Sequence, residues 1–268
     1  MSAKEFVATP ADGCAWITGA SSGIGRQLAL ELARAGWSVA VTARSGEALE
    51  DLARAASGSR GTILPFPGDV GDTSLMVRQC TAIEERLGPI ALLVANAGIY
   101  CPQDGLKGDP EAFRKSFDVN LMGTVNVLLP VIESMKQAGR GQIAVVSSVA
   151  GYGGLPTSAA YGATKAGLIN LAESLKFDLD RAGIRIQLVN PGFVDTPATR
   201  SNPFPMPHLL SVEDAAREII RGLQRSTGFE IAFPKTFVRQ LKALRLLPYG
   251  AYFAVLKRTT GWNRKRAG

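Results

Sequence analysis

Short runs of consecutive apolar residues, each closed by a small or polar residue, alternate along this chain with longer stretches whose apolar positions recur every three or four. The runs at 14–18, 38–42, 62–66, 91–95, 143–146, 185–190 and 229–233 are rich in β-branched types. Such runs predict strands buried on both faces. The stretches between them, near 23–35, 45–56, 73–87, 110–135, 158–182 and 211–227, predict helices. Strands and helices in alternation give the α/β class, a parallel sheet doubly wound with helices on both faces. No internal repeat or low-complexity block interrupts the pattern.

In such a sheet, sites lie beyond the carboxyl ends of the strands. Gly19, Ala43, Asp69, Asn96, Ser148 and Pro191 each directly follow a predicted strand, so all fall on one edge. The first strand runs into Gly19-Ala-Ser-Ser-Gly23-Ile-Gly25 and then a helix. Strand, glycine-rich turn and helix form the context of a dinucleotide fingerprint. Gly19 serves the tight turn, Gly23 the close approach of the pyrophosphate and Gly25 the packing of helix on strand. The helix N-terminus then offers free N–H groups to the phosphates.

After the second strand, the place where an acidic residue would take a ribose 2′-hydroxyl holds Ala43, with Arg44 beside it. A guanidinium pairs with a 2′-phosphate, which favours NADP(H) without excluding NAD(H). The alternative is that Arg44 is a solvated surface charge. Asp69 either accepts from an adenine amino group or opens the next helix. Asn96-Ala97-Gly98 is small enough for backbone to approach a ribose. Asn120 sits mid-helix, where a buried amide must be bonded, either as a structural bridge or as a functional one.

Residues 141–167 hold the candidate chemistry. A strand ends at Ser147 and Ser148, a glycine-rich loop follows, and a helix entered near Ser158, a plausible N-cap, carries Tyr161 and Lys165. Four apart on a helix, these two share a face. An ammonium near a phenol favours the phenolate and lowers its pKa from about 10. A tyrosine tuned in that way exchanges protons near neutral pH. Ser148, thirteen residues before Tyr161, is positioned to bond the same substrate oxygen. The same Tyr–Lys spacing on its own also describes a half-buried Tyr with a solvated Lys.

Length and composition suit one globular catalytic unit with a sizeable core, here 1–233, followed by an extension, 234–268. Cys14, Cys80 and Cys101 show neither paired nor metal-like spacing, which fits a reducing, cytoplasmic setting. With His208 as the one histidine, a His-based metal site or Ser-His-Asp triad has almost no material. Residues 1–12 read as a loose leader without a secretion signal. Residues 197–210 carry four prolines and read as a substrate-covering loop.

The net charge of +7 belongs to the C-terminus: from Phe233 onward there are nine basic residues and no acid, against 21 basic and 23 acidic residues before it. Apolar positions are interleaved with those charges. Peripheral contact with an anionic membrane and packing on a partner subunit or on the domain both fit, whereas the body offers no basic groove for nucleic acid. The apolar run from 246 to 256 is too short to span a bilayer.

TGASSGIG (18–25), NAG (96–98), Asn120, Ser148, YGATK (161–165) and NPGFVDT (190–196) together resemble the short-chain dehydrogenase/reductase family across about residues 12–233. The resemblance implies a Rossmann-like, seven-stranded doubly wound sheet and hydride transfer between a nicotinamide cofactor and a small-molecule carbonyl or alcohol. It implies Tyr161 as general acid/base and Ser148 as the group polarising the carbonyl. Lys165 would tune the tyrosine and hold the nicotinamide ribose, with Asn120 holding a water that links Lys165 to solvent. Cofactor contacts are implied along Gly19, Ser21, Ser22, Gly23, Ile24 and Gly25, then at Arg44, Asp69 and Val70 near the adenosine. Asn96, Ala97 and Gly98 would follow, with Tyr161 and Lys165, then Pro191, Gly192, Val194 and, at the carboxamide, Thr196. Homodimers or homotetramers built on the two long helices near 110–135 and 158–182 are a further implication. The reading that follows is an NADPH-preferring reductase of a hydrophobic or acyl-derived ketone. Its rival is a catalytically silent NADP-binding sensor, membrane-peripheral through its tail.

Overall fold

In a computed structural model of the protein, which describes residues 5–200 and 206–262, seven strands form one parallel sheet. They are β1 (Cys14–Thr18), β2 (Ser38–Thr42), β3 (Thr62–Pro65), β4 (Ile90–Ala95), β5 (Gly141–Val146), β6 (Ile184–Pro191) and β7 (Glu230–Phe233), in the order β3-β2-β1-β4-β5-β6-β7. The chain winds outward from β1 to β3, then returns to β4 on the other side of β1. The strand order reverses there, and a crevice opens beyond the carboxyl ends of β1 and β4.

Alternation within each strand feeds two cores. In β1, Ala15 and Ile17 join one cluster, while Cys14 and Trp16 join the other. The first cluster is covered by α1 (Gly23–Arg34), α2 (Gly46–Ala55) and α7 (Val212–Leu223) through Leu28, Leu49, Leu52 and Ile219. The second is covered by α3 (Thr73–Leu87), α5 (Gly123–Ala138) and α6 (Ala159–Arg181) through Met76, Ile83, Val127, Met135 and Leu168. Burial on both faces is why the strands read as continuous apolar runs. Helix entries are fixed locally: Ser45, Asp72, Asp109 and Ser211 each accept a backbone N–H at their helix N-terminus.

Three expectations are revised. The helix expected over 110–135 is α4 (Pro110–Phe117), a π-helical turn at Asp118–Met122, then α5. Ser158 stands at the N-cap of α6 but makes no capping bond; its hydroxyl reaches back to the Pro156 carbonyl at 3.4 Å. Residues 5–12, read as a loose leader, are tied down. Glu5 pairs with buried Arg185 at 2.9 Å, and the Ala8 N–H donates to Gln142 at 2.9 Å.

The extension forms α8 (Lys235–Leu244) and α9 (Tyr249–Thr259) and folds back across the carboxyl edge of the sheet. Its apolar positions divide. Phe237, Leu241, Leu244, Val255 and Leu256 turn toward the cavity at that edge, whereas Leu246, Tyr249 and Phe253 stay exposed. The inward set thus meets the chain's own body. Arg264, Lys265 and Arg266 lie outside the described residues. No described helix is long and apolar enough to cross a membrane.

Candidate active site

The six strand-end residues singled out in the sequence meet around one cavity of about 1560 Å³, which all of them line. Its floor on the β1 side is the glycine turn. Gly19 has φ +68°, and a Cβ there would lie 2.7 Å from the Ala97 Cα, so only glycine passes. Gly25 does not line the cavity: a Cβ on it would press on the Gly19 carbonyl at 2.5 Å, which makes it a packing glycine under the turn. Asn96 braces the same turn, its amide donating to the carbonyls of Thr18 at 3.0 Å and Gly19 at 3.2 Å. Ser21, Ser22 and Gly23 then present the N-terminus of α1 to the cavity, and Ser22 makes no side-chain capping bond. Free N–H groups at that end suit a pyrophosphate.

Arg44 is exposed at the cavity rim after β2 and forms no ion pair with a described residue. Asp69 is also at the rim, where its carboxylate accepts the Gly71 N–H at 2.9 Å, and Val70 beside it is buried. Asp72, not Asp69, caps α3. On the opposite wall, Thr196 approaches Gly23 so closely that a Cβ there would sit 3.0 Å from its methyl. Pro191, Gly192, Val194 and Thr196 all line the cavity. A glycine cradle, a free helix N-terminus and an unpaired guanidinium match the shape and charge of a dinucleotide phosphate, so the residues present fit such a cofactor.

Ser148, Tyr161 and Lys165 converge above the cradle. Lys165 is buried, and its ammonium donates to the Val146 carbonyl at 2.9 Å. Burial lowers its pKa to about 8. Tyr161 packs edge-on against Tyr100, with ring centroids 5.0 Å apart. Burial pushes its phenol above the ordinary value; a hydrogen bond with Ser148 pulls the other way, and Tyr100 adds to the rise. The direction of the shift is thus opposite to the lowering expected from Lys165. The ammonium sits 5.6 Å from the centroid of the phenol ring, and desolvation of the phenol dominates. At neutral pH the tyrosine is held as an acid.

Asn120 lies behind the cavity wall. Its amide accepts from the Ile99 N–H at 2.7 Å and spends both donors, on the Ile99 carbonyl at 3.0 Å and Thr164 at 3.1 Å. The π-helical turn breaks the regular ladder here, which lets the side chain reach sideways to another segment. A Cβ on Gly98 would come within 3.4 Å of the Asn120 oxygen and 3.5 Å of the Lys165 nitrogen, so both groups approach the same small gap. The sequence offered no sign of Tyr100, of Thr164 as the amide's partner, or of the α8–α9 lining, because each depends on packing between distant segments.

The family model for short chain dehydrogenase matches residues 13–204. This chain belongs to that family. Among its relatives, an uncharacterized oxidoreductase of Myxococcus xanthus is 35% identical over 244 residues, covering 91% of this chain and 96% of that protein. The 3-oxoacyl-[acyl-carrier-protein] reductase MabA of Mycobacterium tuberculosis is 34% identical over 185 residues, covering 69% of this chain and 70% of that one. A crystal structure of a short-chain type dehydrogenase/reductase from Mycobacterium marinum superposes with a TM-score of 0.75 at 29% identity, covering 81% of this chain and 92% of that one. The dehydrogenase is thus an oxidoreductase of a family that works with NAD(P) on small molecules.

Proposed function

We propose that this dehydrogenase is an NADPH-preferring carbonyl reductase acting on a hydrophobic or acyl-derived ketone, with Tyr161 as the general acid. One observation carries the reading: Ser148, Tyr161 and Lys165 share a cavity with the glycine cradle and with Arg44, which is unpaired among the described residues. Gly19 to Ile24, Asp69, Val70, Asn96 to Gly98 and the Pro191–Thr196 segment would hold the cofactor, with Arg44 on a 2′-phosphate. The cofactor supplies the hydride that a carbonyl carbon accepts. Ser148 donates a hydrogen bond to the carbonyl oxygen, and Tyr161, a phenol protonated at neutral pH, gives it the proton. Lys165 anchors the site through the Val146 carbonyl and stands beside Gly98 and Asn120, on the path by which a proton returns to the phenol.

The mycobacterial relative is named as a reductase of a 3-oxoacyl group, and this supports a ketone on an acyl chain. Exposed Met122 and Leu129, after α4 and within α5, and Phe177 on α6 support a homo-oligomer built on these helices.

The test is consumption of reduced cofactor over a panel of ketones, run with NADPH and NADH in parallel. Turnover with NADPH preferred is expected. NADH preference would overturn the role of Arg44 alone. Tight NADPH binding with no turnover on any ketone would replace the reductase reading with that of a silent sensor.

A further inference from the structure

We infer that the two C-terminal helices build a subsite for a large apolar group carried by the substrate, so that the enzyme selects ketones by the hydrocarbon attached to them. The inference rests on the carbonyl-reductase reading and adds the residues that would set specificity.

The cavity is larger than one ligand needs. Single small-molecule pockets run to about 1,000 Å³, whereas this one holds about 1560 Å³. A dinucleotide on the glycine side leaves room beyond the catalytic pair, and α8 and α9 bound that room. Along α8, Phe237, Leu241 and Leu244 recur at helical spacing and all line the cavity. Val255 and Leu256 of α9 line it too. On the same α8, the basic residues Arg239 and Lys242 are exposed and absent from the cavity lining, as is Arg245 just after it; Arg258 of α9 is the basic residue of the wall that reaches the lining. The helix thus aims its apolar stripe at the cavity instead of at a protein core. Leu241 and Leu244 keep part of their surface uncovered there, and apolar surface left open in this way rewards an apolar ligand.

The wall is also fixed in register with the catalytic loop. Tyr252 of α9 donates to the Gly154 carbonyl at 2.8 Å. Lys242 of α8 pairs with Glu230 of β7, whose other oxygen accepts from Tyr152 at 2.6 Å and Asn190 at 2.7 Å. Gly154 and Tyr152 lie in the segment between Ser148 and Tyr161, so the wall and the proton donor are set against each other. All of the wall residues fall beyond the stretch 13–204 matched by the family model.

The experiment measures kcat/KM on the full chain for straight-chain methyl ketones from butanone to undecanone, a fused-ring ketone, and dihydroxyacetone as a polar control. A rise of about fourfold per added methylene is expected until the wall is covered, which corresponds to about 0.8 kcal/mol per buried CH₂. Preference for the long chains assigns an aliphatic arm, and preference for the fused ring a polycyclic one; either supports the subsite. Val255→Trp should lower the undecanone-to-butanone ratio by about tenfold, the equivalent of somewhat under two methylenes. Should that variant not fold, Leu244→Ser provides the same comparison. A flat chain-length series, or preference for dihydroxyacetone, overturns the subsite while leaving the reductase standing. Absence of turnover on every ketone overturns the reductase reading itself.

Discussion

The Tyr252 hydroxyl, on the last described helix, donates a 2.8 Å hydrogen bond to the carbonyl of Gly154 in the loop that precedes Tyr161. The contact spans almost a hundred residues and pins the extension over the cavity. Tyr252 is buried, and the side chain of Arg245 lies over its ring, 5.8 Å from the centroid. Tyr252→Phe keeps the ring and removes the bond, so stability should fall by about 1 kcal/mol in urea unfolding. The KM for a long-chain ketone should rise more than that for a short one. Equal changes in both would show that the contact only stabilises the fold.

Glu230 adds a pH-dependent part to the same attachment. Burial raises its pKa, but Lys242, Tyr152 and Asn190 together outweigh that, and the net shift is downward. A carboxylate depressed in the folded state stabilises above its ordinary pKa and loses that contribution as pH falls through the folded value. Wild type should therefore be more stable than Glu230→Gln at pH 7, with the gap closing as the medium is acidified below about pH 4.5. Paired denaturation curves check this; a gap that does not change with pH would contradict it.

Removing the phenolic oxygen tests the proton donor. Tyr161→Phe retains the edge-on contact with Tyr100, so folding and cofactor affinity should persist. A general acid contributes about 10² to 10⁴ in rate, and kcat should drop within that range or further. Cofactor fluorescence titration alongside steady-state rates separates the two properties. Turnover close to wild type would remove Tyr161 from the mechanism.

Arg44 is exposed and unpaired among the described residues, so Arg44→Asp should leave unfolding unchanged. A charge-assisted contact is worth about 1.5–3 kcal/mol, and its replacement by a repelling carboxylate should shift the NADPH-to-NADH ratio of kcat/KM by about tenfold to a hundredfold toward NADH. An unchanged ratio would identify Arg44 as a surface charge.

Lys165 should leave a signature in alkaline stability. Its pKa is lowered by burial from 10.5 to about 8. Below pH 8 both the folded and unfolded states hold the proton, and the full cost of burying the charge is present. Between about pH 8 and 10.5 the unfolded chain binds more protons, so stability from this group rises with pH. Cys14 and Cys80, pushed up to about 12 by burial, act in the opposite sense. The comparison is therefore wild type minus Lys165→Met, which should grow by on the order of 3 kcal/mol from pH 7 to pH 10.5. A constant difference would mean that the lysine is not desolvated.

Much of this protein was readable from local pattern. Apolar runs with β-branched residues can be only strands when helical repeats separate them, and strand ends in a parallel sheet must share one edge. Gly19, Ala43, Asp69, Asn96, Ser148 and Pro191 therefore share that edge by pattern alone. Gly25 was legible as a packing glycine for a similar reason, since the turn leaves no room between helix and strand. Other features were not. The amide of Asn120 needed the π-helical turn and the Ile99 backbone, which lie on separate segments. The direction of the Tyr161 shift depends on how much water is excluded from the phenol, which a four-residue spacing does not encode.

The extension marks the boundary most clearly. Its composition determined that 234–268 would be amphipathic and basic, and the helical spacing of Phe237, Leu241 and Leu244 determined which residues share a face. An apolar face on its own carries no address: a membrane, a second subunit and the chain's own body can each take it up. Only the tertiary structure turned part of it toward the chain's own body, where Tyr252 reaches Gly154 and Lys242 reaches Glu230. Directional polar contacts between distant segments turn the stripe inward, and burial of apolar surface, which has no direction of its own, follows them.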